Sequence, residues 1–171
     1  MTMWSFPVLI TYAALRDMFS FTIPNGISLT LLCGYFLVTI AEGNFWSYAM
    51  LSNISAGVVV LIVVAILFYR SLLGGGDAKL IAVVSMWMGW SNLLLFLMFM
   101  SLAGGVLAFV WLIAKRLAGS KLMPPWANHY FSSTDGLPYG IAIATAGVAV
   151  FFSLDWPQTG LLNVHIPEPN K

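Results

Sequence analysis

The sequence predicts an all-α integral membrane protein: a bundle of about six transmembrane helices forming one polytopic domain over 1–171. Three observations carry that prediction. Of the 171 residues, 60% are hydrophobic and 8% charged, against about 45–50% and about 25% in a soluble domain. The apolar residues fall in runs near the length needed to cross a hydrocarbon core about 30 Å thick, at about 1.5 Å per helical residue. The basic residues gather on alternate connections between those runs. Together these exclude a cytosolic enzyme, a nucleic-acid binder and a secreted disulfide scaffold. A net charge of +1 provides no polyanion-binding field. Cys33, the one cysteine, cannot form an intrachain disulfide or a multi-cysteine zinc site.

The apolar runs are 3–19, 26–41, 53–70, 78–91, 92–114 and 138–154. In the first, no basic residue precedes the apolar stretch and Arg16 follows it. That order reads as a span with its N-terminus outside, not as a cleaved signal peptide. The second begins after Ile23-Pro24-Asn25, where Pro24 fixes the entry and Asn25 is the expected N-cap. The fourth follows Gly74-Gly75-Gly76-Asp77 and is short, so Gly89-Trp90-Ser91-Asn92 must turn tightly into the fifth. The sixth opens at Leu137-Pro138-Tyr139-Gly140, with Pro138 near its first turn. Pro124-Pro125 breaks the 115–137 connection, and the Pro-rich tail after Asp155 is expected to be irregular.

Arg16, Arg70, Lys79, Lys115, Arg116 and Lys121 lie on one side of this arrangement, and only Lys171 on the other. By the positive-inside rule that side is cytoplasmic, and both termini face outward. Trp4, Trp46, Trp87, Trp90, Trp126 and Trp156 fall near predicted span ends, where an aromatic belt would place them. His129 and His165 lie in different compartments, so no joint metal site is expected.

Glu42, Asp155 and Glu168 read as solvated loop charges, and Asp135 as a turn or capping residue. Asp17 and Asp77 differ. Each meets the hydrocarbon boundary, where an acid is costly and is a functional candidate. They come from different helices on the same face, so they can converge. Two close carboxylates resist ionising together and share a proton. That equips them for peptide hydrolysis without a nucleophilic side chain: one draws a proton from water, the other polarises the carbonyl. From charge and topology alone, the commoner arrangement is that each acid simply pairs with a neighbouring base, Arg16 or Lys79. Three successive glycines disfavour helix. They leave either a flexible turn or a bare backbone that an extended substrate strand can approach.

Together these residues resemble the type IV prepilin peptidase family of membrane aspartyl proteases, whose architecture is of the GxGD type. The first aspartate is matched by Asp17 ahead of Ile23-Pro24-Asn25. The second lies in Gly74-Gly75-Gly76-Asp77, followed by Ala78-Lys79-Leu80, and a late Pro-Tyr-Gly is matched by Pro138-Tyr139-Gly140. The motifs keep the family's order over nearly the whole chain. The resemblance implies an aspartic endopeptidase of the bacterial inner membrane. It would remove a basic leader, after a glycine, from prepilin-like precursors with a hydrophobic N-terminal helix. Asp17 and Asp77 would be catalytic; Gly74, Gly75, Gly76, Lys79, Pro138, Tyr139 and Gly140 would contact substrate. Lys79 would pair with an acidic substrate side chain, tune Asp77, or simply reach to the interface.

The short chain resembles the branch serving Flp-type (tight-adherence) pili. Longer members carry paired Cys-x-x-Cys motifs and methylate the new N-terminus. With only Cys33 here, the resemblance implies proteolysis without methyl transfer, and no cofactor or metal. Met18-Phe19-Ser20-Phe21-Thr22 departs from the basic stretch usual in this branch. The expected partners are the precursor and the bilayer, with no nucleic acid; self-association stays open. Two rival readings are a proton- or cation-coupled transporter, which two membrane acids and a glycine break could also serve, and a non-catalytic secretion-assembly subunit.

Overall fold

The computed structural model describes residues 4–20, 24–43, 45–118, 124 and 136–153. Ile23, Lys121, Trp126, His129, Asp135, Asp155, Trp156, His165 and Glu168 lie outside the described residues. The elements are helices α1 (Ser5–Ser20), α2 (Asn25–Ala41), α3 (Tyr48–Tyr69), α4 (Gly75–Leu117) and α5 (Gly140–Ser153). Among the described residues there is no strand. Helix is the form in which an apolar segment satisfies its own backbone away from water. Its hydroxyls follow suit: Thr11, Thr39, Ser85, Ser101 and Thr145 each donate to the carbonyl four residues back.

α3 and α4 are long and apolar enough to cross a membrane, and α2 and α5 are shorter apolar helices. α3 exposes Val58, Val59, Ile62, Val63 and Ile66 along its length. A face of that kind suits lipid and not water. Ser47 caps α3, its hydroxyl accepting the Met50 N–H at 3.1 Å.

α4 is two limbs, not one rod. Gly89 breaks it with φ 62° and ψ 178°, so the turn expected over four residues narrows to one glycine. A straight helix would hold Asp77 and Gly104 about 40 Å apart. Instead Tyr139 packs on Gly104, its hydroxyl 2.6 Å from where a side chain would begin there, and Tyr139 also feels the charge of Asp77. The second limb therefore folds back. The first limb packs against α2 through Trp87, against α3 through Met86 and against α5 through Val84, and the second limb meets Tyr139 just before α5.

The core lies where α1, α2, the first limb of α4 and α5 meet. Phe6, Ile10, Leu31, Tyr35, Val84, Trp87, Ile143 and Phe151 are fully buried there. Trp87 centres it, with ring centroids 5.0 Å from Phe6 and 5.6 Å from Tyr35. Its indole N–H donates to the Leu31 carbonyl at 3.0 Å. This corrects the aromatic-belt expectation for Trp87: it is an interior residue, its one polar atom satisfied by α2. Trp4, Trp46 and Trp90 are exposed. α3 reaches the first limb through Gly57, where a methyl would lie 2.8 Å from Met86 Cβ and 3.1 Å from the Ala82 carbonyl. Small residues permit such close helix contact within a membrane.

One helix start differs from expectation. Pro24, not Asn25, is the N-cap of α2, and it makes no side-chain cap bond. Pro138 lies buried two residues before α5, near its first turn as expected, its carbonyl accepting the Ile141 N–H at 3.3 Å.

Candidate active site

Both aspartates lie at one end of the bundle. Asp17 occupies the last turn of α1 and is only 4% exposed. Its Oδ2 accepts the backbone N–H of Gly140, the first residue of α5, at 2.7 Å. The approach is so close that a side chain at Gly140 would begin 2.8 Å from Oδ2 and 2.9 Å from Cβ of Asp17. Glycine is needed there for space.

Asp77 is half-buried in the first turn of α4, where the amide dipoles favour a negative group. It lies within Coulombic reach of Asp17. A side chain at Gly74, the residue capping α4, would start 2.8 Å from Asp77 Oδ2; one at Gly75 would start 3.1 Å from the Phe68 ring. The glycine run is thus a helix start folded tightly under Asp77.

The neighbouring cations do not serve as partners. Lys79 Nζ donates to Asn25 Oδ1 at 2.8 Å, tying the start of α2 to the start of α4. Asn25, expected to cap, spends its side chain on this cross-helix bond. Arg16 is exposed while Asp17 is buried, as adjacent residues on a helix point to different sides. Among the described residues, no ion pair involves Asp17 or Asp77, and no cluster of acids, histidines and cysteines could hold a metal.

Asp17, Asp77, Gly74, Gly75, Gly76, Tyr139 and Gly140 are therefore gathered at one end, with Lys79 beside them on Asn25. Gly104 joins them through Tyr139, and the motif reading did not include it. Its signal was present: Gly104-Gly105 inside an apolar helix costs helix propensity and so marks a close approach by something else. Chemically the arrangement offers two interacting carboxylates, one held by a backbone donor and one beside a backbone without side chains.

Fold and site together define a helical membrane protein with a paired-carboxylate centre at one end. The model of the type IV leader peptidase family matches residues 4–109, and the chain belongs to that family. Asp17, Gly74–Gly76, Asp77 and Lys79 fall inside the match; Pro138, Tyr139 and Gly140 fall beyond it. The chain is 35% identical over 80 residues to a prepilin leader peptidase/N-methyltransferase of Xanthomonas campestris pv. campestris. That alignment covers 47% of this chain and 23% of the relative, so the chain spans less than a quarter of that protein. No solved structure matches the chain.

Proposed function

We propose that this protein is an aspartic endopeptidase that removes the leader from prepilin-like precursors at the cytoplasmic face of the inner membrane. Asp17 and Asp77 are its catalytic pair. The observation that carries this reading is their convergence: two acids from separate helices, neither in an ion pair among the described residues, lie within Coulombic reach. One carboxylate takes a proton from water as the water attacks the scissile carbonyl, and the other protonates the carbonyl oxygen. Gly74–Gly76 leave room for the precursor's backbone to lie extended beside Asp77. The precursor's apolar helix remains in the bilayer, next to a bundle that crosses it six times when the two limbs of α4 count separately. The basic connections set the cytoplasmic orientation.

Proteolysis without methyl transfer is the reading favoured here, on the lone cysteine Cys33 and the short connection between Ser20 and Asn25. The pilus served is of the Flp type.

The test is cleavage of a pilin-like precursor in proteoliposomes. Asp17→Asn and Asp77→Asn should each stop it, with the double variant scarcely worse than either single one, because groups acting as a unit are non-additive. Asp135→Asn should cleave normally. Mass spectrometry of the product should show a free amine. Cleavage surviving in either single variant overturns the assignment of Asp17 and Asp77 as the catalytic pair; no cleavage by the wild-type protein overturns the peptidase reading and favours a transport or assembly role; an added methyl mass overturns the restriction to proteolysis.

A further inference from the structure

The two carboxylates are not equivalent, and the difference comes from Gly140. Asp17 receives a directed backbone donor at 2.7 Å. Asp77 receives no side-chain hydrogen bond among the described residues. Each acid also lies at a helix N-terminus, Asp17 against that of α5 and Asp77 within that of α4. Asp17 also sits in the last turn of α1, whose dipole opposes a negative charge there, so the directed N–H is the one feature that favours the charged form at Asp17 and is missing at Asp77. A donor to a carboxylate favours its charged form.

We propose that Gly140 is a positioning residue that fixes Asp17 as the ionised, water-activating carboxylate and leaves Asp77 to carry the proton. This rests on the peptidase reading above and gives its two acids separate roles. Gly140 acts in two ways. Its N–H orients the Asp17 carboxylate, and its missing side chain lets α5 sit against Asp17 Cβ at 2.9 Å from the position a methyl would take. Tyr139 sets the turn before it. The Tyr139 N–H donates to the Leu137 carbonyl at 2.8 Å, and its ring is seated on Gly104 of the second limb. The fold-back of α4 thereby positions Gly140, and Gly140 positions Asp17.

The chemistry balances. Asp17 removes a proton from water while the water oxygen bonds to the scissile carbon, and Asp77 gives its proton to the carbonyl oxygen. A gem-diol forms. On collapse the C–N bond breaks, the proton on Asp17 passes to the leaving nitrogen, and Asp77 recovers one from a diol hydroxyl. Half-open Asp77 is the acid that a substrate carbonyl can meet; Asp17 is 4% exposed, and because burial alone favours the neutral acid, its charged form depends on the Gly140 N–H.

Carbon NMR of the full chain in nanodiscs, labelled at the aspartate carboxyl carbon, tests the assignment. The sequence holds four aspartates, Asp17, Asp77, Asp135 and Asp155. Asp→Glu variants of the first two and Asp→Asn variants of the others assign the signals while keeping the pair's charge coupling. At neutral pH the Asp17 signal should fall at the carboxylate position and the Asp77 signal at the carboxylic-acid position. Gly140→Ala should move Asp17 toward the acid position and lower kcat by about 10²-fold, the cost of a carboxylate misplaced by about 1 Å, with KM little changed. Gly104→Ala, which displaces Tyr139 without touching Asp17, should shift the same signal in the same direction. Gly105→Ala, whose side chain would meet open space, should move neither signal. Reversed positions, equal positions, or a Gly140→Ala spectrum identical to wild type each overturn the proposal. Signals as expected in a protein that cleaves no precursor overturn the peptidase reading instead.

Discussion

The first limb of α4 begins and ends at glycine, for opposite reasons. At its start, Gly74 has φ −68° and ψ 143°, backbone that any residue adopts. What forbids a side chain there is crowding, since a methyl would begin 2.8 Å from Asp77 Oδ2. At its end, Gly89 has φ 62° and ψ 178°, a region essentially closed to other residues, and a side chain there would land on Asn53 Oδ1. The conspicuous run of three serves the candidate chemistry. The inconspicuous single glycine turns the chain. A glycine's meaning thus lies in whether space or torsion excludes the side chain.

The largest effect should come from breaking the torsional end. Gly89→Ala adds about 1–3 kcal/mol of backbone strain to a collision with α3. It should sharply reduce folded protein, read as yield and thermal unfolding in detergent; wild-type stability would dissolve the contrast. Gly74→Ala probes the crowded end. It should leave thermal unfolding close to wild type but lower precursor cleavage about 10²-fold by displacing Asp77. Lys79→Met removes the bond to Asn25 and should cost about 0.5–1.5 kcal/mol of stability; Asn25→Ala should cost a similar amount, with the double variant no worse than either. Smallest is Gly105→Ala, where neither space nor torsion objects. It should stabilise by about 0.5–1 kcal/mol, the helix preference of alanine over glycine, with cleavage unchanged.

The sequence showed these two ends unequally. Apolar run length placed the helices, because hydrocarbon thickness acts directly on run length: the predicted 26–41 and 53–70 sit within or close to Asn25–Ala41 and Tyr48–Tyr69. Charge rarity at the boundary singled out Asp17 and Asp77, and the structure brings them within reach of each other. Run length says nothing about which face meets which helix. Trp87 therefore read as a belt residue until α2 supplied the Leu31 carbonyl. Asn25 read as a local cap until Lys79, 54 residues away, took its side chain. Gly140 read as a substrate contact from its motif; its hydrogen bond to Asp17 spans 123 residues and leaves no local trace.

The single glycine at position 89 also bears on how the chain is built into the bilayer. From Leu80 to Ala114 no charged residue occurs. As one rod this stretch would measure about 50 Å, well beyond a hydrocarbon core of about 30 Å. An insertion machinery that sorts segments by hydropathy receives no stop signal anywhere along it. What divides the stretch is Gly89 and its seat beside Asn53, and that seat exists only once α3 is in place. The division of this stretch into two limbs therefore depends on α3, with a side chain of the earlier helix seated against the turn in the later one. A lesion at Asn53 would then appear first as misassembly during synthesis, before any defect of the finished protein.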